Sequence, residues 1–206
     1  MCYFTFVSSI GLGGRTRTAE DKRDRLLDVA EAAFCAHGYE GTTITVLAVE
    51  AGVTRPTVYA YFTSKDDVFR AVADRVRREF LDLQERVDTS SPERTAREGV
   101  TAFLAAWVRH HGMLTVIAHQ ALADPAVRTL RREILARVER RNAKFVERLV
   151  AAGLADPAVA PADFSRAVTG IVARAAEIVA ENPQQASAQA QQIGDAYLRL
   201  AGIDAR

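Results

Sequence analysis

The sequence predicts an all-α chain of about nine helices: an N-terminal three-helix domain with a helix-turn-helix, joined by a long helix to a C-terminal helical bundle. Three observations predict this. Residues 42–65 spell two short helices hinged at Gly52. Beyond Lys65, apolar residues recur at i, i+3, i+4 and i+7, the period of a helix with one buried face. These segments are separated by breaks at Ser90-Ser91-Pro92, Gly112, Asp124-Pro125 and Asn182-Pro183, where helices stop or restart.

Thr18, Ala19, Glu20 and Asp21 make a capping-box-like start for the first helix, whose inward stripe includes Leu26, Leu27, Ala30, Ala33 and Phe34 until His37-Gly38 stops it. Thr43 caps the second helix, with Leu47, Ala48 and Ala51 facing inward. Ala48 keeps the crossing point small, Gly52 supplies the positive φ of the turn, and Val53 is expected to plug the angle between the helices. Thr54 is the N-cap of the third helix and Pro56 fits its first turn, where no amide hydrogen is needed. Val58 and Phe62 point inward.

Arg55, Thr57, Tyr59, Ala60 and Tyr61 are left facing outward. These donors, a methyl and flat aromatic surface at a helix N-terminus suit a DNA major groove. Lys65, beside the amides that open the next helix, and Thr43, before the second helix, are candidate phosphate contacts that position the duplex without reading it. The candidate DNA-binding set is thus Thr43, Thr54, Arg55, Pro56, Thr57, Tyr59, Ala60, Tyr61 and Lys65.

The run from Leu26 to Val72 holds Ala32-Ala33-Phe34, Gly38-Tyr39-Glu40-Gly41-Thr42-Thr43, Ala48, Gly52-Val53, Val58-Tyr59, Tyr61-Phe62 and Ser64-Lys65-Asp66. In order and spacing it resembles the DNA-binding domain of the TetR family of transcriptional regulators. The resemblance covers roughly a quarter of the chain. It implies an all-helical homodimer whose N-terminal domains read a palindromic operator in double-stranded DNA and whose C-terminal domains bind a small effector that releases it.

With 206 residues and 49% hydrophobic content, the chain suits one small domain fused to a larger one. The expected division is 1–17 as a flexible arm, 18–65 as the DNA-binding domain and 66–206 as the ligand-binding and dimerisation domain. The net charge is only +1, so positive charge must be local: Arg15, Arg17, Lys22, Arg23 and Arg25, with Arg55 and Lys65. Two cysteines, Cys2 and Cys35, make no disulfide framework. No run approaches a membrane span, and a cytoplasmic protein without a cofactor is expected.

The fourth helix should run from about 65 to 88, through Val68, Val72, Val76, Phe80, Leu83 and Val87. Phe103 and Trp107 lie on the fifth, and the sixth is expected to follow a break at Gly112. The charged seventh extends to about Ala152, its arginines on solvated faces interspersed with glutamates. In 161–181, Phe164, Ala167, Val168, Ile171, Val172, Ala175, Ile178 and Val179 form an apolar stripe flanked by small residues. That helix and the last, 184–201, are the expected homodimer interface as a two-fold four-helix arrangement, with burial inside one subunit as the alternative. Phe103, Trp107, His111, Ile117 and His119 are candidate contacts for an effector, of largely apolar character. His110, His111 and His119 also raise a metal, although nothing in their spacing requires one.

A ligand-released transcriptional repressor is therefore expected. An activator or a helix-turn-helix interaction module is the alternative, because operator position relative to the promoter is not written in the sequence. An all-helical enzyme is a further alternative, but no Gly-rich phosphate loop, nucleophile elbow or paired-Cys metal pattern supports one.

Overall fold

The computed structural model describes residues 19–82 and 91–203, and within them nine α-helices. They are α1 (Ala19–Gly41), α2 (Ile44–Ala51), α3 (Arg55–Tyr59), α4 (Lys65–Asp82), α5 (Pro92–Arg109), α6 (His111–Ala123), α7 (Pro125–Ala151), α8 (Pro161–Glu181) and α9 (Ala186–Ala201). The expectations for residues 1–17, for Thr18 and for Leu83 and Val87 lie outside the described residues.

Helix boundaries follow the local chemistry. Gly38 leaves helical torsion at φ 67°, ψ 179°, so α1 is kinked where the sequence stops it. Thr43 caps α2 by accepting from the Val46 amide, and Gly52 closes it in the left-handed region at φ 66°, ψ 34°. Ser91 accepts from the Arg94 amide and Asp124 from those of Ala126 and Val127, each just before a proline in the first turn.

Two expectations need correction. Val53 does not plug the helix-turn-helix angle: its amide donates to Ala48 O at 2.9 Å, and its side chain stays 36% exposed. The turn places Val53 on the outer side, so Leu47, Ala48 and Val58 close the angle instead. The break between the fifth and sixth helices falls at His110, whose φ −99°, ψ 11° is not helical, while Gly112 lies within α6. Gly112 is there for close approach. A Cβ at that position would meet Cys35 Sγ of α1 at 2.8 Å.

The apolar surface of α8 extends over more than one face. Phe164, Val168, Val172, Ala175 and Val179 are buried, whereas Ala167 and Ile171 face outward. The last helix starts at Ala186, after a 3-10 turn over Pro183–Gln185.

Two apolar cores result. The first joins α1 to α4 through Phe34, Leu47, Val58, Phe69 and Val72, then continues without a gap into Met113 and Ile117 of α6 and Ile134 of α7. The second packs Val100 and Leu104 of α5 with Val146 of α7, Phe164 and Val172 of α8 and Tyr197 of α9. Phe103 and Trp107 pack against both cores, so a change at α5 is felt in each.

Candidate nucleic-acid interface and effector cavity

The five-residue helix α3 is held by its caps. Thr54 Oγ1 accepts from the Thr57 amide at 3.4 Å and lies 2.9 Å from Thr57 Oγ1, with Pro56 in the first turn. Val58 and Phe62 anchor the inner side at 1% and 2% exposure. Of the residues assigned to DNA from the sequence, Thr43, Thr54, Arg55, Pro56, Tyr59 and Ala60 are exposed, while Thr57, Tyr61 and Lys65 are half-buried. Tyr59 shows 48% of its surface. The Arg23 guanidinium sits 5.1 Å from the Phe62 ring centroid, which brings one α1 cation to the end of α3.

Lys65 has a second occupation that the sequence did not announce. Its Nζ donates to Tyr39 O at 3.1 Å, lies 4.1 Å from the Tyr39 ring centroid and is 3.8 Å from Glu40. Tyr39 in turn stacks on Phe34, meets Phe69 edge-on and donates to Asp66. Lys65 thus ties the start of α4 to the end of α1.

Thr42 was also missed as a structural group. It is fully buried, and its hydroxyl donates to Gly38 O at 2.7 Å, holding the turn that aims α2. The Thr-Thr pair was the available signal.

Behind this domain, one histidine joins three helices. His110 Nδ1 is 2.9 Å from Glu31 of α1, and Nε2 is 2.9 Å from Glu79 of α4. A neutral imidazole has one N–H, so two carboxylate partners require the imidazolium. Burial opposes that charge, but the hydrogen bonds and charges of Glu31 and Glu79 outweigh it and raise the His110 pKa. Burial likewise pushes Glu31 up, and His110 and Arg75 more than reverse it, leaving its carboxyl below the ordinary range. Arg75 completes the cluster, donating to Glu31 and to Asp28 at 2.6 Å each.

The C-terminal bundle holds a cavity of about 180 Å³ between α5, α7, α8 and α9. Of the five residues proposed from the sequence for an effector, Phe103 alone lines it. Trp107 packs edge-on against Phe80 and Phe103, Ile117 is fully buried in the first core, His111 is half-buried and His119 is exposed. The cavity lies on the other side of α5, against Val138, Asn142 and Phe145 of α7 and Ser165 and Val168 of α8. No spacing within one helix announces it, because four elements contribute.

Residues 26–72 match the family described as bacterial regulatory proteins, tetR family. The matched segment is about a quarter of the chain. Among curated TetR-type relatives, the HTH-type transcriptional repressor ComR of Escherichia coli is 49% identical over 53 residues, 26% of this chain and 25% of ComR. The HTH-type transcriptional repressor NicS of Pseudomonas putida is 30% identical over 112 residues, 53% of each chain. The chain therefore spans about half or less of these relatives' length. In fold, a TetR-family structure, PfmR of Thermus thermophilus, superposes with a TM-score of 0.74 at 21% identity, covering 85% of this chain and 98% of PfmR. A TetR-like regulator of Rhodococcus gives 0.72 at 22% identity over 90% and 97% of the two chains.

Proposed function

We propose that this chain is a TetR-family transcriptional repressor that binds a palindromic operator as a homodimer and is released by a small effector. The carrying observation is the α3 surface. Arg55, Tyr59 and Ala60 stand exposed on a helix fixed by the Thr54 cap and the Gly52 turn, within the matching 26–72 segment. Such a face reads base edges in a major groove. Thr43 and Lys65 flank it as backbone contacts, and residues 18–65 form the reading domain.

One helix-turn-helix contacts too few base pairs for useful specificity, which favours two copies with recognition helices roughly 34 Å apart. The outward face of α8 and α9 supports self-pairing. Ala167, Gly170, Ile171 and Ile178 border an open apolar depression there, with Gln189 of α9. Residues 66–206 then serve sensing and dimerisation. No described helix is long and apolar enough to cross a membrane, in keeping with a cytoplasmic regulator. Effector in the cavity would shift α5 and, through Phe103, Trp107 and Phe80, tilt α4 and separate the recognition helices.

Selection of bound fragments from sheared genomic DNA at near-physiological salt tests the reading. A two-fold palindrome is expected. No enrichment from ligand-stripped, refolded protein would refute it.

A further inference from the structure

The cavity restricts what it can hold, first by size. At about 180 Å³ it is little larger than the roughly 150 Å³ engineered cavity that admits benzene, so it fits one ring with a small substituent, about ten non-hydrogen atoms. Its inner wall is apolar, with Ala96, Val100, Phe103, Val138, Phe145 and Val168.

Charge is the second restriction. Among the described residues no carboxylate lines the cavity, whereas Arg141 and Arg148 both border it from exposed positions on α7. Seven residues apart on one helix, they share a face about 10 Å in length.

Hydrogen-bond accounting is the third. Ser165 donates to Glu139 O at 2.8 Å, Thr169 to Ser165 O at 3.0 Å and Tyr197 to Asn142 Oδ1 at 2.7 Å. A hydroxyl has one hydrogen, so these three groups offer an occupant only acceptor lone pairs. One hydrogen of the Asn142 amide goes to Ser165 Oγ at 3.1 Å. The strongest donor for an anion is therefore the Arg148 guanidinium at the rim, beyond an apolar interior.

We propose that the cavity takes a compact monocarboxylate, its ring or short branched chain inside and its carboxylate at Arg148, with Arg141 adding positive charge at the same rim. The proposal rests on the reading of this cavity as the effector site, and it adds the chemical class. A cation of the same size would meet two guanidinium groups and, among the described lining residues, no carboxylate.

Calorimetric titration of the full chain with benzoate and its neutral isostere benzamide tests it. Trp107, the single tryptophan, stands 6.3 Å from the Phe103 ring and gives a second readout by fluorescence. Benzoate is expected to bind about tenfold tighter than benzamide, with the difference lost in Arg148→Gln. Gly99→Leu fills the site, because a Cβ at Gly99 meets open space, and should abolish binding of both probes. Equal binding of the two probes, both lost in Gly99→Leu, would overturn the carboxylate class and leave the site standing. Binding unaffected by Gly99→Leu, or no binding of either probe, would overturn the site with it.

Discussion

The ring of His110 reaches Glu31 and Glu79 at 2.9 Å each, and its backbone is where α5 gives way to α6. Arg75 and Asp28 stand beside Glu31, and Arg109 lies 3.4 Å from Glu79, so the imidazolium faces charges from α1, α4 and α5. Because the His110 pKa is raised on folding, its stabilisation is complete below the ordinary value of about 6.5 and is lost as pH rises through the folded value. Glu31 acts in the opposite sense: its lowered pKa contributes above the ordinary 4.5 and is lost as pH falls below that. Urea unfolding of the wild type should show stability falling as pH rises above about 6.5, and His110→Gln should remove that slope and cost about 2 kcal/mol near pH 6. An unchanged slope in His110→Gln would exclude the bridge. None of this was legible in the sequence. The partners are 79 and 31 positions away, and the histidine cluster suggested a ligand or metal because its members were read along the chain instead of across it.

Elements were more readable than contacts. The bounds of α8 were set at 161–181 by Pro161 and Asn182-Pro183, and Gly52 placed the turn of the helix-turn-helix, because caps and breakers act locally. Gly112 was misread for a reason of scale: a glycine in a pattern looks like a break, yet here it admits Cys35 of α1 against α6. Gly112→Val should cost about 2 kcal/mol by overpacking, and Cys35→Ala in the same chain should recover part of it, checked by thermal unfolding. The α8 sequence carries apolar surface on more than one face, and Ile171 remains 38% exposed, since periodicity marks apolar surface without saying what covers it. If that surface meets its own copy, Ile171→Glu should convert a dimer to a monomer in sedimentation while leaving helicity intact. A wild-type monomer at micromolar concentration would contradict the interface.

At the scale of the molecule, two cores share α5 and α7, and the first runs from α1–α4 into α6 and α7. The all-helical architecture was legible because long amphipathic segments carry their own signal. The cavity was not, because four elements build it and only Phe103 was in the expected set. The α3 surface was legible because cap, turn and outward residues lie within a few positions of one another. The central claim is that this surface, in two copies, reads DNA. Its most direct measurement is the genomic fragment selection run in parallel on the wild type and on Arg55→Ala with Tyr59→Ala, two exposed positions whose replacement spares the core. A two-fold palindrome is expected for the wild type, and loss of base preference at symmetry-related positions in both half-sites for the variant. The same palindrome at the same enrichment from both proteins would contradict that claim.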